Sequence, residues 1–178
     1  YDLVCKNEEA INSFISRNHL GKESEIILTG AGTSAFIGNV LAGIFMEKGY
    51  SRCRAVATTD IITYPEQCLP KGCPVFLVSF ARSGNSPESL AAVRIADKYC
   101  ERACHIIITC NEAGELAKES HRDDVLLMLL PPETNDKSLA MTSSFTTMAL
   151  VSLLVCNVKQ LSEQKTKVEE IADFARSI

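Results

Sequence analysis

The chain has 178 residues, 46% of them hydrophobic and 22% charged, a balance that excludes a disordered chain and is large enough for one domain with a real core. Its formal net charge is −4, with acids and bases interspersed, which argues against nucleic acid as the main partner. The longest apolar stretch, 148–158, is interrupted by Ser152 and Asn157 and is shorter than the about 20 residues a membrane span needs, so no membrane partner is expected.

In chain order, residues 6–18 read as an amphipathic helix with Ile11, Phe14 and Ile15 on one face. Residues 1–20 mix acids with apolar residues and do not read as a signal peptide. A buried strand is expected at 26–29. A helix follows over 34–48, with Phe36, Ile37, Val40, Leu41, Ile44 and Phe45 at helical spacing and Gly49 as its stop. A weaker strand falls at 54–58 and a strong one at 75–80. Residues 86–99 form a helix with Pro87 at its first position and Leu90, Val93, Ile95 and Ala96 as its apolar stripe. Strand 105–109, a short helix at 115–120 and strand 125–129 come next. After a polar loop at 131–137, a very apolar helix is expected over 142–158, and a Lys- and Glu-rich helix over 159–178 closes the chain. The strands are continuous apolar runs rather than alternating ones, as in a parallel sheet covered on both faces. Strands alternating with helices give an α/β fold: a three-layer α-β-α sandwich around a mainly parallel five-stranded sheet. No repeat or low-complexity linker divides the chain, so it reads as a single domain over 1–178 with its core at about 22–158.

The eight cysteines are Cys5, Cys53, Cys68, Cys73, Cys100, Cys104, Cys110 and Cys156. There is no C-x-x-C pair, and Cys53, Cys104, Cys110 and Cys156 lie in or beside apolar runs, where a free thiol behaves as a small hydrophobe. Reduced cysteines in a cytoplasmic protein, with no structural metal, is the expectation. His19, His105 and His121 read as structural or solvated, and no Ser-His-Asp arrangement or G-x-S-x-G can be placed.

In such sheets ligands bind beyond the carboxyl ends of the strands. The first strand runs into Gly30-Ala31-Gly32-Thr33-Ser34, and the third into Ala81-Arg82-Ser83-Gly84-Asn85-Ser86. Glycines let the backbone approach a ligand, and the helix that follows points free N–H groups and its positive dipole end at the same space. Hydroxyls on Ser34, Ser83 and Ser86 add neutral donors, so the pair of loops suits an anion, above all a phosphate. Arg82 is the only strong cation in either loop; it could pair with the phosphate or cap a surface. Each loop alone is also an ordinary strand-to-helix turn with a serine cap, and two at matching strand ends weaken that reading. The run from Gly30 to Ala35 also fits a dinucleotide fingerprint. That motif needs an acid at the end of the second strand, and Asp60 is the one on offer. Glu88, Glu133 and Asp136 are the other acids nearest the expected site.

At these loops the sequence resembles the SIS (sugar isomerase) domain, a family of phosphosugar-binding α/β domains. The phrases "LTGAGTSAFIG", "ATTD", "VSFARSGNSPES", "ITCN" and "NDKSLAMTSSFT" together resemble one branch, the tagatose-6-phosphate ketose/aldose isomerases and galactosamine-6-phosphate deaminases (AgaS type). The resemblance implies that Gly32, Thr33, Ser34, Arg82, Ser83, Gly84, Asn85 and Ser86 surround a sugar phosphate. It places the phosphate on Ser34, Ser83 and Ser86, and Thr142 near the sugar. Compared with the related glucosamine-6-phosphate synthase, this chain has Ala81 for a serine, Arg82 for a glutamine and Ser143 for a lysine. The resemblance implies proton transfer at C2 of an open-chain sugar phosphate by a carboxylate base, without cofactor or metal. Galactosamine 6-phosphate would then give tagatose 6-phosphate and ammonia. Members of this branch carry two such domains, and the catalytic glutamate of the related synthase belongs to the second, so no catalytic residue is assigned here. Pairing with a second SIS domain or a homo-oligomer is expected, through the apolar helix at 141–158. The alternatives are a non-catalytic phosphosugar sensor and a dinucleotide-binding domain.

Overall fold

The computed structural model describes residues 1–20, 23–137 and 139–177. The expected core boundary at 22, Ser138 of the quoted "NDKSLAMTSSFT" and the last residue of the closing helix, 178, lie outside the described residues. The elements in order are α1 (Asp2–Lys6), α2 (Glu8–Arg17), β1 (Glu25–Gly30), α3 (Ala35–Glu47), β2 (Cys53–Ala55), α4 (Thr58–Thr63), α5 (Pro65–Cys68), β3 (Val75–Ala81), α6 (Pro87–Tyr99), β4 (Ala103–Thr109), α7 (Glu115–Lys118), β5 (Val125–Leu129), α8 (Thr142–Cys156) and α9 (Leu161–Arg176). The five strands form one sheet in the order β2-β1-β3-β4-β5, and every pairing is parallel. This is the three-layer α/β architecture expected.

The two faces of the sheet follow from strand parity. Ile26, Leu28, Phe76, Val78, Phe80, Ile106 and Ile108 join Ile11 and Phe14 of α2, Leu41 of α3 and Met148 and Val151 of α8. Phe14 meets Phe76 edge-on at 6.3 Å. Ile27, Leu77 and Ile107 face the other way and pack on Ile61 of α4 and on Ala92, Val93 and Ala96 of α6. Every residue of β3 is buried, which is why its sequence shows no alternation.

Three boundaries depart most from expectation, and α4 and α5 are helices that the sequence reading does not contain. The opening helix is two helices, because Asn7 turns its side chain back to the Leu3 carbonyl at 2.7 Å and ends the first. The apolar helix stops at Cys156, where Asn157 bonds the Leu153 carbonyl in the same way at 2.7 Å, and a short 3₁₀ turn, Val158–Gln160, precedes α9. The weak strand at 54–58 is the three-residue β2, and Thr58 already opens α4. No single helix among the described residues is long and apolar enough to cross a membrane.

The order of strands places the switch point between β1 and β3: the chain leaves β1 toward α3 on one face and leaves β3 toward α6 on the other. Both serine-glycine loops therefore open at the same edge, above adjacent strands.

Candidate functional site

The loop after β1 makes a 3₁₀ turn, Gly32–Ser34, closed by Ser34 N–H donating to the Ala31 carbonyl at 3.2 Å. The loop after β3 is held from its outer side. Asn111 donates through Nδ2 to the Ser83 carbonyl at 2.8 Å, and Leu116 N–H donates to the Gly84 carbonyl at 3.0 Å. Asn85 Oδ1 accepts from Glu115 N–H at 3.0 Å. Gly84 adopts φ +66°, a conformation that side chains disfavour. Gly114 is needed for a different reason: a Cβ there would lie 2.6 Å from the Ser83 carbonyl. Asn111 and Gly114, in the turn after β4, support the loop, a role that sequence reading did not assign them.

These anchors use the carbonyls and leave the donors. Among the described residues, the N–H groups of Ser83, Gly84, Ser86 and Glu88 find no acceptor. They surround the start of α6, whose N-cap is Ser86: its Oγ accepts from Ser89 N–H at 3.1 Å and lies 2.9 Å from Ser89 Oγ. A cavity of about 210 Å³ lies here, lined by Thr33 and Ser34 from one loop, Ser83, Gly84 and Ser86 from the other, and Met141 opposite. A second cavity of about 370 Å³ adjoins it, sharing Thr33, Ser34, Arg82 and Met141 and extending to Ser144 and Phe145 of α8. The small cavity has the size and donors for a phosphate, and the larger one could take the rest of a small polar molecule. A larger groove of about 660 Å³ runs along α1 and α2 past Lys6, Glu8, Glu9 and Asn12, with no converging set of groups.

The structure brings together Thr33, Ser34, Arg82, Ser83, Gly84 and Ser86 around the small cavity. It does not bring in the other three. Gly32 only shapes its turn, with φ +57°. Asn85 spends its side chain on α7. Thr142 is exposed and lines neither cavity; Met141 and Ser144, on either side of it, do. Arg82 is not a free cation: one guanidinium nitrogen donates to the Asp136 carbonyl at 2.8 Å and reaches Asn135 Oδ1 at 3.5 Å.

Among the described residues no carboxylate and no imidazole lines either cavity. Asp136 uses its carboxylate on Ser144 N–H at 2.7 Å and Ser143 N–H at 3.3 Å, and these bonds, that from Ser144 foremost, hold it below the usual carboxylate range. Asp60 is exposed in the first turn of α4 and lines neither cavity. His105 is buried and bonds Asp97 at 2.7 Å near the amino end of β4, away from both cavities. Burial pushes the thiol of Cys53 up to about 12 and those of Cys100 and Cys156 up to about 11, so these are packing groups rather than nucleophiles.

Comparison with known proteins fits this geometry. The family model described as SIS domain matches residues 19–157. The chain belongs to the SIS domain family. It is 41% identical over 170 residues to the D-galactosamine-6-phosphate deaminase AgaS of Escherichia coli, covering 95% of this chain and 44% of that protein. A solved chain from Clostridium novyi NT superposes with a TM-score of 0.90 at 42% identity, covering 96% of this chain and 44% of its own length. The tagatose-6-phosphate ketose/aldose isomerase structure from Escherichia coli superposes with a TM-score of 0.82 at 43% identity, covering 85% of this chain and 41% of that one. The chain thus spans less than half the length of these relatives.

Proposed function

We propose that this SIS domain binds the phosphate of a sugar or amino-sugar 6-phosphate and serves an aldose–ketose isomerase or deaminase. The best candidate reaction is galactosamine 6-phosphate to tagatose 6-phosphate and ammonia. The observation that carries the reading is the small cavity, where hydroxyls from both loops converge with the unpaired N–H groups at the start of α6. The names of relatives above 40% identity point to the same substrate class.

The chemistry divides accordingly. The phosphate is remote from C1 and C2, so its binding energy holds the open-chain sugar in register rather than moving protons. Ser34, Ser83 and Ser86 hold the phosphate, Gly84 lets the backbone come close, and the sugar extends into the larger cavity toward Met141 and Ser144. The proton at C2 needs a carboxylate or imidazole of tuned pKa. With none among the described residues that line the cavities, we assign that base to a second SIS domain or a second copy of this one. Pairing fits the face of α3 better than α8. α3 exposes Phe36 and Val40, at 58% and 56%, whereas α8 buries Met148, Val151, Leu154 and Val155 inside the domain.

Calorimetric titration with galactosamine 6-phosphate, glucosamine 6-phosphate, tagatose 6-phosphate, free galactosamine and NAD tests the reading. The phosphorylated sugars are expected to bind and free galactosamine is not. Ser83→Ala with Ser86→Gly should weaken binding about tenfold or more, equivalent to about 1.4 kcal/mol. Glycine at the cap is chosen because it keeps most of the capping energy that alanine would lose. Binding of NAD alone, or unchanged affinity in the double variant, would sink the assignment.

A further inference from the structure

Asp136 has two separate attachments, and they point in opposite directions. Its carboxylate accepts Ser143 N–H and Ser144 N–H at 3.3 and 2.7 Å, the first turn of α8. The formal cap residue of that helix, Met141, makes no side-chain cap bond, so Asp136 does the capping from six residues before the helix starts. Its backbone carbonyl accepts from Arg82 at 2.8 Å, and the same Arg82 nitrogen reaches Asn135 Oδ1 at 3.5 Å. Arg82 is itself fixed at its backbone, where its carbonyl accepts Cys110 N–H at 3.3 Å from the strand end next door. A chain of hydrogen bonds therefore runs from the end of β4, through Arg82 of the phosphate loop, through Asp136, to the first turn of α8.

That first turn is a wall of the larger cavity. Met141 and Ser144 line it on one side, while Thr33, Ser34 and Arg82 line it on the other. Met141 and Arg82 also line the small cavity. The position of α8 relative to the two serine loops thus decides the shape of the space next to the phosphate. A planar guanidinium with several donors suits such a brace, because it can hold a carbonyl and an amide oxygen in one plane.

We propose that Arg82 and Asp136 are positioning residues that brace the first turn of α8 against the phosphate loop, and that this brace selects for the carbohydrate part of a sugar phosphate rather than for its phosphate. The inference rests on the phosphosugar reading given above and extends it. It assigns Arg82 a role other than counter-ion to the phosphate, and it brings in Asp136 and Asn135, which line neither cavity.

The test compares two probes, galactosamine 6-phosphate and inorganic phosphate, by titration calorimetry on the whole chain. The variants are Arg82→Ala, Asp136→Ala and the milder Asp136→Asn, which keeps one acceptor and guards against misfolding. Amide hydrogen exchange is followed at Ser143 and Ser144. The expected result has three parts. Inorganic phosphate binds the Asp136 variants within about twofold of the parent, and in Arg82→Ala it loses less affinity than the sugar phosphate does. The sugar phosphate weakens about tenfold in Arg82→Ala and Asp136→Ala and less in Asp136→Asn, tenfold being about 1.4 kcal/mol. Ser144 exchanges faster in Arg82→Ala, although Arg82 does not touch it. Equal weakening of both probes by Arg82→Ala would overturn the proposal and make Arg82 the phosphate's cation. Unchanged sugar-phosphate affinity in the Asp136 variants would overturn it as well, with the phosphosugar reading intact. If the parent chain binds neither probe, the phosphosugar reading fails first, and unchanged exchange at Ser144 in Arg82→Ala would then show the brace failing on its own account.

Discussion

The two ends of the sheet treat their polar groups in opposite ways. At the carboxyl end, the loops after β1 and β3 offer hydroxyls around an open cavity, together with N–H groups that find no acceptor among the described residues. At the amino end of β4 and β5, Arg122 binds Asp97 at 2.8 Å, Asp124 at 2.8 Å and Glu119 at 3.3 Å, and buried His105 binds Asp97 at 2.7 Å. Burial pushes the Asp97 carboxyl up, but the hydrogen bonds from His105 and Arg122 outweigh it and hold the group well below the usual carboxylate range. Asp97, His105 and Asp124 place ligand atoms within 4.8 Å of one another, as a cation site would. The Arg122 guanidinium already supplies the positive charge there. Strength of charge is therefore a poor guide to a site in this molecule. The ion cluster is closed on itself and serves stability, while the nearly neutral loops are open and serve a ligand.

The largest effect should come from opening the closed end. Arg122→Ala leaves three carboxylates without their cation. With its side chain 22% exposed, the loss falls between the about 1 kcal/mol of an exposed pair and the about 3–5 kcal/mol of a buried one, and about 2 kcal/mol is expected. Urea unfolding reads it. Lys118→Ala, which removes an exposed pair with Glu115, should change stability by no more than about 0.5 kcal/mol. The same cluster sets an acid limit. A carboxyl whose folded pKa is depressed contributes stability that is complete above the unfolded value, about 3.9, and is lost as pH falls through the folded value. The parent should weaken steeply below about pH 4, and Arg122→Ala less steeply, since less is left to lose. A variant as stable as the parent at pH 7 would show that the cluster is ornamental, and the contrast between the two ends would fail.

A smaller effect separates the two glycines of the open end. Gly84 and Gly32 both have positive φ, +66° and +57°. Alanine at either should cost about 1–2 kcal/mol for the left-handed backbone. A Cβ on Gly84 would also lie 3.3 Å from Thr109 Oγ1, whereas one on Gly32 meets nothing within 4 Å. Gly84→Ala should therefore weaken phosphate binding, and Gly32→Ala should leave it within about twofold, a difference below about 0.4 kcal/mol. Equal loss of affinity in both variants would mean that the Gly32 turn contributes directly to the cup.

How much of this was legible in sequence depends on whether the signal was local. The four strong strands and the helices after the two serine loops were readable because burial on both faces leaves continuous apolar runs. The two loops were readable because glycines and serines follow a strand and precede a helix, a local pattern. The break at Asn7 was not, since it depends on one side chain choosing its own backbone. Arg82 illustrates the harder limit. Its charge marked it as a phosphate ligand or a surface cap, but its partners lie more than fifty residues away, and no spacing encodes them. The same holds for Asp136, whose role as a cap is hidden because five residues separate it from the helix it caps. Thr142 is exposed together with Met141 and Ser143, and of the first turn of α8 only Ser144 is buried, a difference the resemblance alone did not encode.

The smallest effect concerns the sheet directly beneath the open end. Thr29 of β1 and Ser79 of β3 stand opposite each other in register, on the face covered by α4 and α6. Both are buried, and neither hydroxyl has a hydrogen-bond partner among the described residues. A buried hydroxyl left unpaired costs about 1–3 kcal/mol, so removing it without changing shape returns part of that. Thr29→Val with Ser79→Ala is therefore expected to leave stability unchanged or raise it by up to about 1 kcal/mol in urea unfolding. A loss of more than about 1 kcal/mol would mean that the hydroxyls are satisfied by a buried water, which needs two to four polar partners and would find two of them here. If the loss came with weaker phosphate binding, the open end of the sheet would reach one layer deeper than its cavity, and the division between the ligand site and the structural core would have to be drawn below Thr29 and Ser79.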